Sequence, residues 1–252
     1  MQFERDERSA TRLAWGIHLL TASGALCGLF GLLSVLDGAA KAALLWLMVA
    51  LVIDGIDGPV ARKVDVRLHV PDLDGNILDL VIDYLTCVVA PAVFLDRFGM
   101  LPHGWSLVGA GFVMLTALYC FARLDQMTED HFFNGFPAMW SLVVNLLWVL
   151  KTPKPVNLVV VLVLSALTLT DVKVPHLVRV RQFRALTLTV VVTWLAVMTI
   201  LTIAYPTSST LGSAVLLVGT AYLVTLSVLR TRRSTLMMAN VPNTATSNTS
   251  TT

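Results

Sequence analysis

Charge is scarce in this chain. Asp, Glu, Lys and Arg together make up 13% of its 252 residues, about half the share usual in soluble domains, so a water-soluble globule is excluded. Cysteine is scarce too, with three in all. Cys27, Cys87 and Cys120 have no ligand-type spacing and fall in apolar runs, so we read them as small packing residues and not as a disulfide framework or zinc site. No cleavable leader is visible: Met1–Arg8 carries both charge signs, and the apolar run behind it is too long for a signal core. There is no internal repeat.

Long uncharged runs are what the chain does have. Residues 13–36 lack any charged side chain, enough to cross a bilayer once. Residues 38–53 lead apolar into Asp54. Ile77–Leu95, Phe98–Ala122, Phe132–Leu150 and Pro155–Thr170 follow. Ala185–Leu229 has no charge at all, and as one helix it would extend ~67 Å. It must therefore be two spans, broken at Tyr205-Pro206-Thr207-Ser208-Ser209. The expected fold is an all-α integral membrane protein of about eight transmembrane helices, occupying 1–236, with a disordered Thr/Ser/Asn-rich tail at 237–252. Of the eighteen basic residues, fourteen fall on the side of the two termini and four on the other, so the termini are expected to be cytoplasmic.

Against this background the acids are misplaced. Seven of sixteen lie between Asp54 and Asp83, in segments apolar enough to be embedded, where an ionised carboxylate costs roughly 2.5–3.5 kcal/mol. Asp54 and Asp57 lie about 60° apart on a helix, with Gly58 and Ala61 in the same sector. Gly75, Asp79 and Asp83 step round by about 40° each and form one stripe. A short connection makes the two helices antiparallel neighbours whose acidic faces meet. Carboxylates so placed need a cation, and oxygen-only ligands suit Mg²⁺, Mn²⁺ or Ca²⁺. With Arg62 a turn beyond Gly58, the set can hold a diphosphate. Two readings stand: phosphoryl-type transfer, or an ion pathway. Clustering near one membrane face favours a pocket over a conduit.

The pattern Asp54-x-x-Asp57-Gly58-x-x-Ala61-Arg62 … Gly75-x-x-x-Asp79-x-x-x-Asp83 resembles the signature of the CDP-alcohol phosphatidyltransferases. The long gap from Lys63 to Asp74, with His18–Gly24, Phe132–Trp140 and His176–Arg181, is similar to the bacterial phosphatidylcholine synthases among them. The resemblance implies transfer of the phosphatidyl group from CDP-diacylglycerol to choline with release of CMP. It implies Mn²⁺ or Mg²⁺ held by Asp54, Asp57, Asp79 and Asp83, with Asp83 as general base. It gives Gly58, Ala61, Arg62 and Gly75 to CDP-diacylglycerol, and points to Thr21 and Ser23 in the first span, whose hydroxyls back-bonding to their own helix is the plain alternative. It also implies an inner-membrane homodimer whose active site faces the cytoplasm.

A quaternary ammonium binds through ring faces, which makes Tyr84, Phe133, Phe136 and Trp140 candidates for a choline pocket, with Asp125, Glu129 and Asp130 as an acidic wall. Aromatics at a membrane interface are also ordinary belt residues. Arg179, Arg181 and Arg184 suit a topology signal or an anionic-lipid contact. Asp72 and Asp74 are expected as loop and cap residues, and Lys63–Val70 as a surface-lying segment. Ser141 and Cys87 depart from the family pattern, in which Asn and Tyr or Phe stand there, so the acceptor remains open to serine, glycerol phosphate or inositol phosphate. A cation transporter is the reading from a different class.

Overall fold

The computed structural model describes residues 2–128, 130–176 and 183–239, with side chains from residue 7 to residue 233 of these. Glu129, Arg179, Arg181 and Asn240–Thr252 therefore lie outside the described residues. Ten α-helices, one π-helical turn and one two-stranded sheet make up the described chain.

Helix α1 (Gln2–Leu36) turns at Asp37–Ala39 into antiparallel α2 (Ala40–Val64), and these two form the most extensive helix pair. The backbone of Asp65 is left-handed (φ 51°) and ends α2; a single turn, α3 (Val66–His69), follows. Val66 and Val70 bury themselves against Ala14 and Ile17 of α1, so the long connection is anchored at its apolar positions and exposes Arg67 and Leu68. Asp74 caps α4 (Gly75–Asp83), its side chain accepting from the Asn76 N–H at 2.9 Å, as the sequence suggests.

The third span is continuous but not uniform. α4 passes into a π-helical turn (Tyr84–Val89) and then α5 (Ala90–Arg97). Pro91 has no N–H, and its ring crowds the carbonyl of the residue four back, Cys87. Opening the helix to the wider π turn relieves that crowding, and the Ala90 N–H accordingly reaches back to the carbonyl of Leu85.

By length and composition five helical segments can cross a membrane: Glu7–Leu36, Ala40–Val64, Gly75–Arg97, Arg184–Ala204 and Thr210–Arg233. The protein is thus an all-α, multi-pass membrane protein. Three apolar helices are shorter: α6 (Ser106–Ala122), α7 (Trp140–Val149) and α8 (Lys154–Thr168). The span expected over Phe132–Leu150 needs correction, because helix begins only at Trp140. Phe132–Asn134 is instead a strand, β1, paired antiparallel with β2 (Lys173–Pro175). Gly135 (φ 87°) and Pro137 keep the intervening residues out of the helix. α9 (Arg184–Ala204) and α10 (Thr210–Ala239) divide the long uncharged run at the expected Tyr205–Ser209 break. Lys151 Nζ donates to the Pro206 carbonyl there at 2.7 Å.

The main core joins the second halves of α1 and α2's start to α5–α8, around Phe94, Leu95, Val113, Trp140 and Val144. A second cluster ties α9 and α10 on through Trp194, Met198 and Leu216. Within it Thr202 donates to the Asn145 side chain at 2.9 Å, a buried polar tie between α9 and α7.

Candidate active site

The site lies where α1, α2 and α4 converge. α2 carries Asp54 and Asp57 in the turn before Pro59, which cannot donate to the carbonyl of Gly55. α4 brings Asp79 against them. One carboxylate oxygen from each of Asp54, Asp57 and Asp79 lies within 4.8 Å of the others. Asp57 is 4% exposed, and its Oδ2 is wholly buried with no hydrogen-bond partner. A buried carboxylate oxygen with no donor is costly by itself, and a divalent cation between the Asp57 carboxylate and those of Asp54 and Asp79 would resolve that cost. The donors are all hard oxygens, so the residues fit Mg²⁺ or Mn²⁺ and not zinc.

Asp83 stands one turn further along α4, outside the triad but in the same cleft. The cleft is narrow and is lined by Asp54, Asp57, Asp79 and Asp83, with Thr21 and Gly24 from α1, Ala50 and Ile53 from α2, and Ile82 and Thr86 beyond Asp79. The four aspartates read from the sequence are therefore in one place. Thr86 was missed, although it completes the stripe of Asp79, Ile82 and Asp83 at helical spacing. Thr21 enters the cleft wall, while its hydroxyl donates to the Ile17 carbonyl at 3.3 Å. Ser23 is two residues on and turned away, its hydroxyl bonded to the Leu20 carbonyl at 2.6 Å.

Of the positions assigned to the nucleotide, Gly58 is partly buried near Asp57 and Arg62 is exposed on the last turn of α2. Ala61 packs partly into the small cluster with Ala14 and Ile17. Gly75 is where α4 meets α1: a Cβ there would stand 3.1 Å from Cε1 of His18. His18 is buried, and its Nε2 has no hydrogen-bond partner.

The aromatic candidates are not gathered into one cage. Tyr84 meets Phe121 of α6 edge to face, with centroids 6.1 Å apart. Trp140 has no exposed surface and packs against Phe136 at 5.3 Å. Phe133 stacks on His176 at 5.3 Å. Nor do the described acids form an open wall. Asp125 pairs with Arg123 at 2.8 Å, and Arg123 also holds Asp171 at 2.8 Å. Asp130 pairs with Arg230 at 2.7 Å. These arginines hold the carboxyls of Asp125 and Asp130 below the usual carboxylate range. Phe121 had no signal in the sequence because its partner Tyr84 is remote in the chain, and Arg123 joins its near neighbour Asp125 to the distant Asp171.

No family model matches the chain. Individual proteins do. The phosphatidylcholine synthase of Pseudomonas aeruginosa is 41% identical over 220 residues, covering 87% of this chain and 92% of that protein. This chain belongs to the phosphatidylcholine synthase family. The phosphatidylcholine synthase of Rhizobium johnstonii is 38% identical over 73% of this chain and 76% of its own length. That of Borreliella burgdorferi is 29% identical over 88% and 96%. Similarity to phosphatidylcholine synthases thus covers 73–88% of this chain.

Proposed function

We propose that the protein is a metal-dependent phosphatidylcholine synthase, transferring the phosphatidyl group of CDP-diacylglycerol to choline and releasing CMP. The observation that carries this reading is the convergence of Asp54, Asp57 and Asp79 within 4.8 Å, with Asp83 in the same cleft. Asp54, Asp57 and Asp79 would hold the cation, with Asp83 lining the same cleft. When bound, the divalent ion neutralises the diphosphate and the charge on departing CMP.

The chain's own residues then divide the work. Gly58 leaves the backbone open to the nucleotide, Gly75 lets α4 pack closely on His18 of α1, and Arg62 at the end of α2 offers a fixed positive fork to phosphate oxygens. The acyl chains lie in the lipid around α1, α2 and α4. Asp83 accepts the proton of the choline hydroxyl, whose oxygen attacks the β-phosphorus as the bond to the CMP oxygen breaks. A hydroxyl is a poor nucleophile until deprotonated, and a positioned base contributes roughly 10²–10⁴-fold. Asp83 afterwards returns its proton to water at the mouth of the cleft. Eight spans, cytoplasmic termini and a site opening to the cytoplasm of an inner membrane complete the proposal, with the fourteen-to-four basic bias as its support.

The test is CMP release by purified protein from CDP-diacylglycerol with Mn²⁺ or Mg²⁺ and a panel of alcohols. Release on adding choline supports the reading. Release with serine, glycerol phosphate or inositol phosphate in its place reassigns the acceptor. No release with any alcohol leaves cation transport as the better reading.

A further inference from the structure

The oxygens that meet within 4.8 Å come from two helices, those of Asp54 and Asp57 from α2 and that of Asp79 from α4. A bond from such a metal to oxygen spans only about 2.0–2.6 Å, so the spacing of the two helices has to be held closely. They do not hold it by themselves. α4 packs more closely on α1 than on α2, and α2 makes its most extensive contact with α1. α1 is therefore the common support, and its contact with α4 determines where Asp79 stands.

Glycine makes that contact. Gly24 and Gly28 lie about one turn apart on α1. A Cβ at Gly24 would stand 2.9 Å from Cγ2 of Ile82, and one at Gly28 would stand 2.7 Å from Cδ2 of Leu85 and 3.0 Å from Cγ2 of Thr86. Carbon atoms pack at about 3.5–4.0 Å, so neither position has room for a methyl group. Further along α1, a Cβ at Gly31 would stand 3.2 Å from Cδ2 of Leu47 on α2. Glycine weakens a helix interior, and close approach of a second helix is what it gives in return. Gly16, on the same helix, has nothing within 4 Å of its Cβ position and provides the contrast. The Gly24 contact is the stricter of the two facing α4. Leu85 can turn its branched end away, whereas Cγ2 of Ile82 sits on a β-branched carbon with little freedom at χ1, and Ile82 is buried. Gly24 and Ile82 both line the cleft beside Asp79 and Asp83. The buried, unpartnered Oδ2 of Asp57 points independently to a ligand in that cleft.

We infer that Gly24 is a positioning residue: its contact with Ile82 sets the distance of Asp79 from Asp54 and Asp57, and with it the affinity of the triad for a divalent cation. The inference rests on the metal-dependent reading of the site and deepens it.

The test is binding of Mn²⁺ by the full-length protein with CDP present, read from the electron paramagnetic resonance of the free ion, alongside CMP release. Gly24→Ala should weaken Mn²⁺ binding about tenfold. The Mn²⁺ needed for half-maximal CMP release should rise by about the same factor, with kcat at saturating Mn²⁺ changed less. Ile82→Ala removes the obstructing methyl group, so Gly24→Ala in that background should cost little further affinity. A merely structural defect would instead add to that of Ile82→Ala. Gly16→Ala should bind Mn²⁺ as wild type does. Wild-type affinity in Gly24→Ala, an equal loss in Gly16→Ala, or a loss undiminished in the Ile82→Ala background would overturn the assignment. If Gly24→Ala does not accumulate, Gly28→Ala with and without Leu85→Ala carries the same comparison one turn deeper. Wild-type protein that binds no Mn²⁺ would sink the metal reading and the inference with it, a result distinct from any seen only in the variants.

Discussion

Asp83→Asn is the substitution that separates chemistry from binding at this site. The two side chains have the same shape, and Asp83 lies outside the triad whose oxygens converge within 4.8 Å. The cation and the nucleotide should therefore bind as before, while the proton acceptor is gone. Loss of a positioned base costs roughly 10²–10⁴-fold, or about 3–5.5 kcal/mol at about 1.4 kcal/mol per decade. The fall should appear in kcat at saturating choline and CDP-diacylglycerol, read as CMP release. Asp57→Asn provides the contrast. Asp57 is 4% exposed and offers one of the triad oxygens, so its loss should weaken Mn²⁺-supported binding of CDP as well as turnover. Removing one of four crowded carboxylates also relieves repulsion, so Asp83→Asn should melt no lower than wild type in chelator. A turnover within about tenfold of wild type, or a loss of CDP binding equal to that of Asp57→Asn, would refute the base assignment.

Other predictions address the metal and the scaffold. Chelation should abolish CMP release, with Mn²⁺ or Mg²⁺ restoring it; the ion should also raise the melting temperature, since ligand at a hundred times its Kd stabilises by about 2.7 kcal/mol. Gly135→Ala should be severely destabilising, by about 3 kcal/mol or more. The position has φ 87°, and a Cβ would stand 2.6 Å from the Thr168 carbonyl oxygen and 3.0 Å from that of Thr170; reduced yield of folded protein and a lowered melting temperature would show it. The Asp130–Arg230 pair should make the β1–β2 region acid-sensitive. Arg230 lowers the Asp130 pKa, so the pair's stabilisation is present above the unfolded value near ~3.9 and is lost as pH falls through the lower folded value. With the Asp130 side chain 43% exposed, screening limits the effect to about 0.5–1 kcal/mol. Asp130→Asn should thus lower the melting temperature by about 1–4 °C at neutral pH, and the gap from wild type should close as the pH drops below ~4.

What could be read in advance was local. The cost of an ionised group in an apolar helix is a property of a few neighbouring residues, so Asp54, Asp57, Asp79 and Asp83 stood out before any fold was known. Helical spacing then placed them on facing stripes, and the cleft joins all four. The α9–α10 break was legible for the same reason, because Tyr205–Ser209 interrupts an otherwise uncharged run. Trp140 was placed in the right segment but in the wrong setting. Apolar composition extended its helix back to Phe132, whereas the antiparallel pairing of Phe132–Asn134 with Lys173–Pro175, some forty residues away, holds that stretch as a strand.

The packing of the rings resists reading along the chain for a deeper reason. A metal is recognised by charge, which is rare here and therefore conspicuous. A methylated ammonium is recognised by ring faces, which in an apolar membrane protein are part of the background. Tyr84 was noticed only because it adjoins Asp83. Phe121 comes from α6 and meets it through packing across the π-helical turn, and nothing in its own neighbourhood of the sequence marks it. Asp125 and Asp130 misled in the opposite sense: acids near an aromatic segment suggested a cation site, yet Arg123 and Arg230 fold onto them. Charge therefore marks the aspartate cleft along the chain, whereas ring packing such as that of Tyr84 on Phe121 is visible only in three dimensions.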